Sequence, residues 1–264
     1  MTLEAAFQRV DGSDRFCLWH LPEGKPRGGI VYLHPFAEEM NRARSVVARQ
    51  AKGFAAAGYA VLQMDLYGCG DSAGDFSEAS WAGWRSDARA AMTLMQDRFN
   101  VPLCLWGLRA GGLLANEAAR EVATDISLLL WQPVLSGQQH LQQFLRLSLA
   151  ADMLDGRGQG GTERLLARLA SGEAIEVAGY TLSPALAEGL AASNLAPPAK
   201  PQHMHCIEIA PGAEEVSPAL VRFAAGSAVQ LVSCDDAQCW LTQGVQAAPV
   251  LGTASLAAMR ALLP

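Results

Sequence analysis

The segment from Leu103 to Ala119, LCLWGLRAGGLLANEAA, constrains this chain most. An apolar run too short for a helix leads into Gly107-Leu108-Arg109-Ala110-Gly111, and an Ala- and Leu-rich helical pattern follows at once. A strand that becomes a helix within five residues crowds its own backbone, and glycines at both ends of the turn clear the space. Such a turn lifts its middle side chain over the carboxyl end of a sheet. Here that side chain is Arg109.

Around this segment the pattern alternates between strand and helix, which predicts a mostly parallel sheet with helices on both faces. Phe7 to Val10 and Phe16 to Leu21 read as an opening hairpin around Asp11-Gly12-Ser13-Asp14. Gly29 to Leu33 reads as a strand, followed by the loop His34-Pro35-Phe36 and a helix from Asn41 to Gly58. Tyr59 to Met64 is the next strand. Ser80 to Phe99 is an amphipathic helix with Trp81, Trp84, Ala88, Ala91 and Met95 on one side. Val101 to Trp106 is a strand, Gly112 to Val122 a helix, and Ile126 to Trp131 the sixth strand.

The rhythm then changes. From Ser136 to about Pro197 the chain is rich in Gln, Leu and Ala. It is broken by Gly156-Arg157-Gly158-Gln159-Gly160-Gly161 and by an extended piece, Ala174 to Leu182. We read residues 136–197 as a helical cap inserted into a core formed by 1–135 and 198–264. The core resumes with the strand Met204 to Ile209, a helix from Ser217 to Ala225, the strand Val229 to Ser233 and a closing helix near Thr253 to Leu263.

With 264 residues, half of them hydrophobic and 17% charged, the chain can bury a large core. A net charge of −6 argues against a nucleic-acid footprint, which needs a basic patch. No basic segment followed by an apolar run opens the chain, and its most apolar stretch, Ile126 to Trp131, is far shorter than the ~20 residues that span a bilayer. Six scattered cysteines in a chain of this size read as reduced thiols, which places the protein in the cytoplasm. The Cys234/Cys239 pair is too sparse for a zinc site, so neither a metal nor another cofactor is expected.

Strand, G-x-x-x-G turn and helix in this order are the nucleophile elbow of the α/β-hydrolase fold, where serine hydrolases carry G-x-S-x-G. Arginine cannot replace that serine: it stays protonated and offers only donors. The acid of a triad would follow the strand Met204–Ile209, where Glu214 and Glu215 lie. Its histidine would follow the last strand, but no histidine occurs after His205. A Ser-His-Asp mechanism is therefore excluded. At a helix N-terminus, where free N–H groups already favour anions, Arg109 makes a site for a carboxylate, phosphate or sulfate. Alternatively it is tied to a protein carboxylate, with Glu38, Glu39 and Asp65 as the candidates.

His34, in the position of an oxyanion loop, is read either as a general acid or base or as a residue that holds the loop. Glu38 and Glu39 are further candidates to activate a water. Cys69, in Gly68-Cys69-Gly70, would be a substitute nucleophile if a cation lowered its pKa. His140, His203 and His205 have no motif around them and are read as structural or exposed, and His20, which ends an early strand, is the least expected of all to act. Phe36, Asp65, Leu108, Trp131 and Trp240 are expected to line the pocket with Arg109. The expected partner is a small, anionic molecule, and a homodimer remains open.

Several segments together resemble one family: HPFAEEMNRAR, VLQMDLYGCGDSAGDFSEASWAGW, LCLWGLRAGGLLA, LLLWQPVLSGQQHLQQFLR and GYTLSPALAEGL. They are similar to the exosortase A system-associated hydrolases of the second type, over about residues 30 to 195. The resemblance implies an α/β-hydrolase fold in a Gram-negative bacterium, with a gene neighbourhood for exopolysaccharide synthesis and PEP-CTERM protein sorting. It implies no particular reaction. It also implies that arginine in the elbow is a family trait rather than an isolated loss. Two functions follow from the residues: hydrolysis or acyl transfer with rearranged chemistry, or non-catalytic binding of an anionic molecule or a partner protein.

Overall fold

Asp11 and Gly12 both adopt positive φ, 47° and 80°, and turn the chain back on itself in two residues. The hairpin so formed pairs β1 (Thr2–Val10) with β2 (Ser13–Leu21) over nine residue pairs. It is longer than expected because the alternating burial of β1 runs to its start. In this computed structural model the described residues are 1–154, 161–197, 203–212, 214–241, 244 and 247–264, with side chains 148–154 excepted. The glycine-rich stretch 156–160 and Pro198-Ala199 lie outside them.

The chain continues through β3 (Gly28–Leu33), α1 (Glu38–Ala56), β4 (Tyr59–Met64), a short 3-10 turn (Phe76–Glu78), α2 (Trp81–Phe99), β5 (Leu103–Leu108), α3 (Ala110–Arg120) and β6 (Ser127–Trp131). Next come α4 (Gly137–Leu154), α5 (Thr162–Ala170), the small hairpin β7 (Ile175–Val177) and β8 (Tyr180–Leu182), and α6 (Pro184–Ala192). The last elements are β9 (Met204–Ile209), α7 (Pro218–Ala224), β10 (Gln230–Cys234) and α8 (Pro249–Leu262).

Eight strands form one sheet in the order β1-β2-β4-β3-β5-β6-β9-β10, parallel from β4 onward. Strands β3, β5 and β6 are buried throughout, as central strands covered on both faces must be. One apolar core packs α2, α3 and the α4–α6 segment against the sheet, and a second packs α1 and α8 against the other face. No helix among the described residues is long and apolar enough to cross a membrane.

Two boundaries bear on the site. Helix α1 starts at Glu38, not Asn41, because Ala37 takes φ 48°, ψ −125° as its N-cap. Strand β5 runs to Leu108 and α3 starts at Ala110, so a single residue, Arg109, joins them.

Candidate functional site

Arg109 sits at φ 56°, ψ −122°, a conformation that costs a β-carbon residue of order 1–3 kcal/mol and persists only when its surroundings enforce it. Three contacts do so here. Its N–H donates to Trp131 O at 3.0 Å, and its carbonyl accepts from Gly112 N at 2.9 Å. Gly111 packs so closely beneath β3 that a β-carbon on it would lie 2.2 Å from the Leu33 carbonyl oxygen. The side chain therefore projects from the carboxyl end of β5 at the N-terminus of α3, which no side chain caps.

The guanidinium Nε donates to Glu39 Oε1 at 3.1 Å. The two side chains are 17% and 9% exposed. Glu39 comes from the first turn of α1, placed there by the strained Ala37. Burial pushes the Glu39 carboxyl up to about 7 against the pull of Arg109, and its Oε2 has no partner among the described residues. Below the guanidinium lies Trp240, whose ring centroid is 5.2 Å from Arg109 Cζ. A cation over an indole face is held by the ring quadrupole. The loop after β10, where a triad histidine would stand, thus brings an aromatic ring to the elbow.

On its open side Arg109 borders a cleft of about 210 Å³ that Gln132, Gln139, His140, Gln143 and Glu208 also line. His140, from α4, is buried with neither ring nitrogen bonded among the described residues, and burial, with Arg109 nearby, lowers its pKa to about 3. Such a histidine resists protonation in the folded chain but not in the unfolded one, so wild-type stability falls as pH drops from about 6.5 towards 3. His140→Leu should therefore be more stable than wild type at pH 7 by ~1 kcal/mol, the cost of unsatisfied buried groups. The difference should grow by roughly 2 kcal/mol at pH 5, measured by urea unfolding. A pH-independent difference would contradict it.

The remaining expected residues are placed as follows. His34 holds its loop: Nδ1 donates to Pro35 O at 2.9 Å and Nε2 accepts from Leu66 N at 3.4 Å, so both ring nitrogens are occupied and burial keeps the ring neutral. Asp65 pairs with Arg44 at 3.3 Å and accepts from Asp71 N at 3.0 Å, so the carboxylate that meets Arg109 is Glu39 and not Asp65. Glu38 has one buried oxygen without a partner among the described residues, and no bond between it and Arg109 is present there.

Cys69 lacks what a thiolate needs. It is buried, and burial together with Asp65 and Asp87 drives its pKa up. Phe36 is packed edge-on against Phe76, Trp84, His140 and Phe144. Leu108 and Trp131 lie in the core facing α1 and α8, and the Trp131 indole donates to Ser255 Oγ at 2.9 Å. These three shape the site from within and do not line the cleft. Glu214 and Glu215 are exposed; the acidic residue in the cleft is Glu208, whose carboxylate accepts from Ser217 N. His140 and Glu208 carry no motif in the sequence, because a position on α4 or β9 meets the elbow only once the sheet is assembled.

A sheet of this order with an elbow between its fifth strand and the following helix defines a member of the α/β-hydrolase superfamily. The family model of the serine aminopeptidases, S33, matches residues 24–156, and the chain belongs to that family. Human Protein ABHD12B is 35% identical over 114 residues, which cover 42% of this chain and 30% of that relative. The chain thus spans less than a third of that relative's length. Among solved structures, ferulic-acid-bound Est1E from Butyrivibrio proteoclasticus aligns over 98% of this chain and 96% of its own, at 18% identity and a TM-score of 0.65. A serine hydrolase without a lid from Xanthomonas campestris aligns over 100% and 96%, at 16% identity and 0.62. A proline iminopeptidase-related protein from Thermus thermophilus aligns over 100% and 99%, at 15% identity and 0.62. At these identities the likeness is one of fold.

Proposed function

We propose that the elbow of this chain holds the anionic group of a small molecule and performs no serine-type nucleophilic step. One observation carries this reading: Arg109 spends its Nε on Glu39, no hydrogen bond from its Nη atoms is present among the described residues, and the residue lines an open cleft. A guanidinium with both Nη groups unspent at an uncapped helix N-terminus fits a carboxylate or phosphate through paired hydrogen bonds. The segment read as the cap contributes Ser136, Gln139, His140 and Gln143 to this cleft. The absence of serine at position 109 and of any histidine beyond His205 keeps peptidase chemistry from being transferred from the family. Free, buried cysteines support a cytoplasmic site of action. The resemblance to exosortase A system-associated hydrolases supports a role beside exopolysaccharide synthesis.

The Glu39 carboxyl favours a second reading, hydrolysis or transfer of an ester or thioester by a bound water. A base whose pKa lies near 7 is well matched to proton abstraction at neutral pH.

Thermal-shift titration with small carboxylates and phosphates tests the first reading. A ligand at ~100 times its Kd should add about 2.7 kcal/mol of stability. Arg109→Ala should weaken binding at least ~10-fold, and an unchanged shift in that variant would overturn the reading. For the second reading, turnover of p-nitrophenyl esters or acyl thioesters should rise with pH through about 7 and collapse in Glu39→Gln. Turnover at the buffer rate removes it.

A further inference from the structure

Strand β1 closes one edge of the sheet, and the phase of its free hydrogen-bonding groups can be read from its turn. A two-residue hairpin closes on a pair that exchanges both backbone bonds, here Val10 and Ser13. Alternation along the strand then gives the bonds towards β2 to Thr2, Glu4, Ala6, Gln8 and Val10. The N–H and C=O groups of Leu3, Ala5, Phe7 and Arg9 point outward, away from β2.

The same four residues share one face. Leu3 is 48% and Phe7 60% exposed, among the most exposed large hydrophobics of the chain. The strand has nine residues with neither proline nor lysine, and Arg9 is the one charged residue of its outward set. Glu4 lies on the opposite face, tied to Arg98 at 2.7 Å.

We propose that β1 pairs with β1 of a second copy, antiparallel about a two-fold axis through Ala5, and joins the two sheets into one. A two-fold interface must present the same patch twice, so the register has to be self-complementary. Only odd-to-odd pairings match the free groups. Centring on Ala5 sets Leu3 opposite Phe7 twice and Ala5 opposite itself, forming one apolar cluster of both exposed side chains. On the other face Glu4 meets Ala6 and Thr2 meets Gln8, so no like charges oppose. Centring on Ala6 instead sets Leu3 against Arg9. Centring on Phe7 sets Leu3 against Asp11 of the turn. A shift the other way sets Glu4 against Glu4. At its ends the Ala5 register brings Arg9 opposite Met1, whose amine holds the exposed Glu23.

Sedimentation equilibrium of the whole chain at roughly 100 µM should give a dimer, favoured by mass action. Ala5→Pro deletes only an outward N–H, so the fold should be retained while the dimer is lost. Leu3→Lys with Phe7→Lys should do the same. Ala5→Cys reports the register. Opposed residues of a bonded pair lie ~5.5 Å apart at Cα, within disulfide range. Mild oxidation should therefore link Ala5→Cys covalently and leave Arg9→Cys unlinked. A monomer at that concentration overturns the proposal. So does a dimer that survives Ala5→Pro, or one in which Ala5→Cys links no faster than Arg9→Cys.

Discussion

Gly111→Ala should cost the protein at least ~3 kcal/mol, and in practice most of its cooperative unfolding transition. The new methyl would lie 2.2 Å from the Leu33 carbonyl oxygen and 2.6 Å from that of His34, both backbone atoms that no rotamer change can move aside. The end of β3 and the start of α3 would have to part. That displaces the loop carrying Glu39 on one side and Arg109 on the other, so the ion pair should be lost with the packing. Gly112→Ala is the control. Its β-carbon would meet Leu130 Cδ2 at 3.6 Å, an ordinary contact, and alanine suits a helix better than glycine by ~1 kcal/mol. Urea unfolding of the two variants should differ by several kcal/mol in favour of Gly112→Ala. Equal stability would mean that β3 and α3 are not locked together at Gly111.

The second large effect lies away from the elbow. Asp87→Ala should lose about 3–5 kcal/mol, the cost of leaving one member of a buried ion pair uncompensated. Arg15 Nε donates to Asp87 Oδ1 at 2.9 Å, with the two side chains 4% and 0% exposed. The other carboxylate oxygen accepts from Tyr67 N at 2.7 Å, and the Arg15 guanidinium lies 4.8 Å from the Tyr67 ring centroid. One carboxylate thus ties β2, α2 and the loop after β4, segments far apart in the chain. The double variant Arg15→Met with Asp87→Leu should recover most of the loss, because removing both charges removes the burial cost as well. If the double variant is as unstable as Asp87→Ala, the effect belongs to the Tyr67 hydrogen bond rather than to the unpaired arginine.

Much of this was legible in the residues. Compact apolar runs identified the central strands, and Met204–Ile209 has the bounds read for it. The glycine frame located the elbow, and helix α2 begins behind the Ser80 cap as its pattern requires. Boundaries set by backbone conformation were less visible. Ala37 at positive φ starts α1 three residues early, and nothing in an alanine announces that. The pocket residues were the least visible. Trp131, at the end of β6, faces the α8 core because side chains alternate along a strand, and Leu108 in β5 lies in the same core. His140 carried no motif, yet it lies in the cleft.

The sequence by itself determined that a positive, non-nucleophilic side chain stands at the turn between β5 and α3. That follows from local sterics: two glycines, one strand and one helix within a few residues of each other. It also determined that no histidine follows the last strand. Only the tertiary structure decided which carboxylate answers Arg109. Glu38, Glu39 and Asp65 were equivalent on charge and proximity to strand ends. The strained turn at Ala37 aims Glu39 across the 70 residues that separate it from Arg109, while Asp65 is taken by Arg44. A buried ion pair is a matter of ångströms between distant segments, and those distances exist only after the sheet has been assembled.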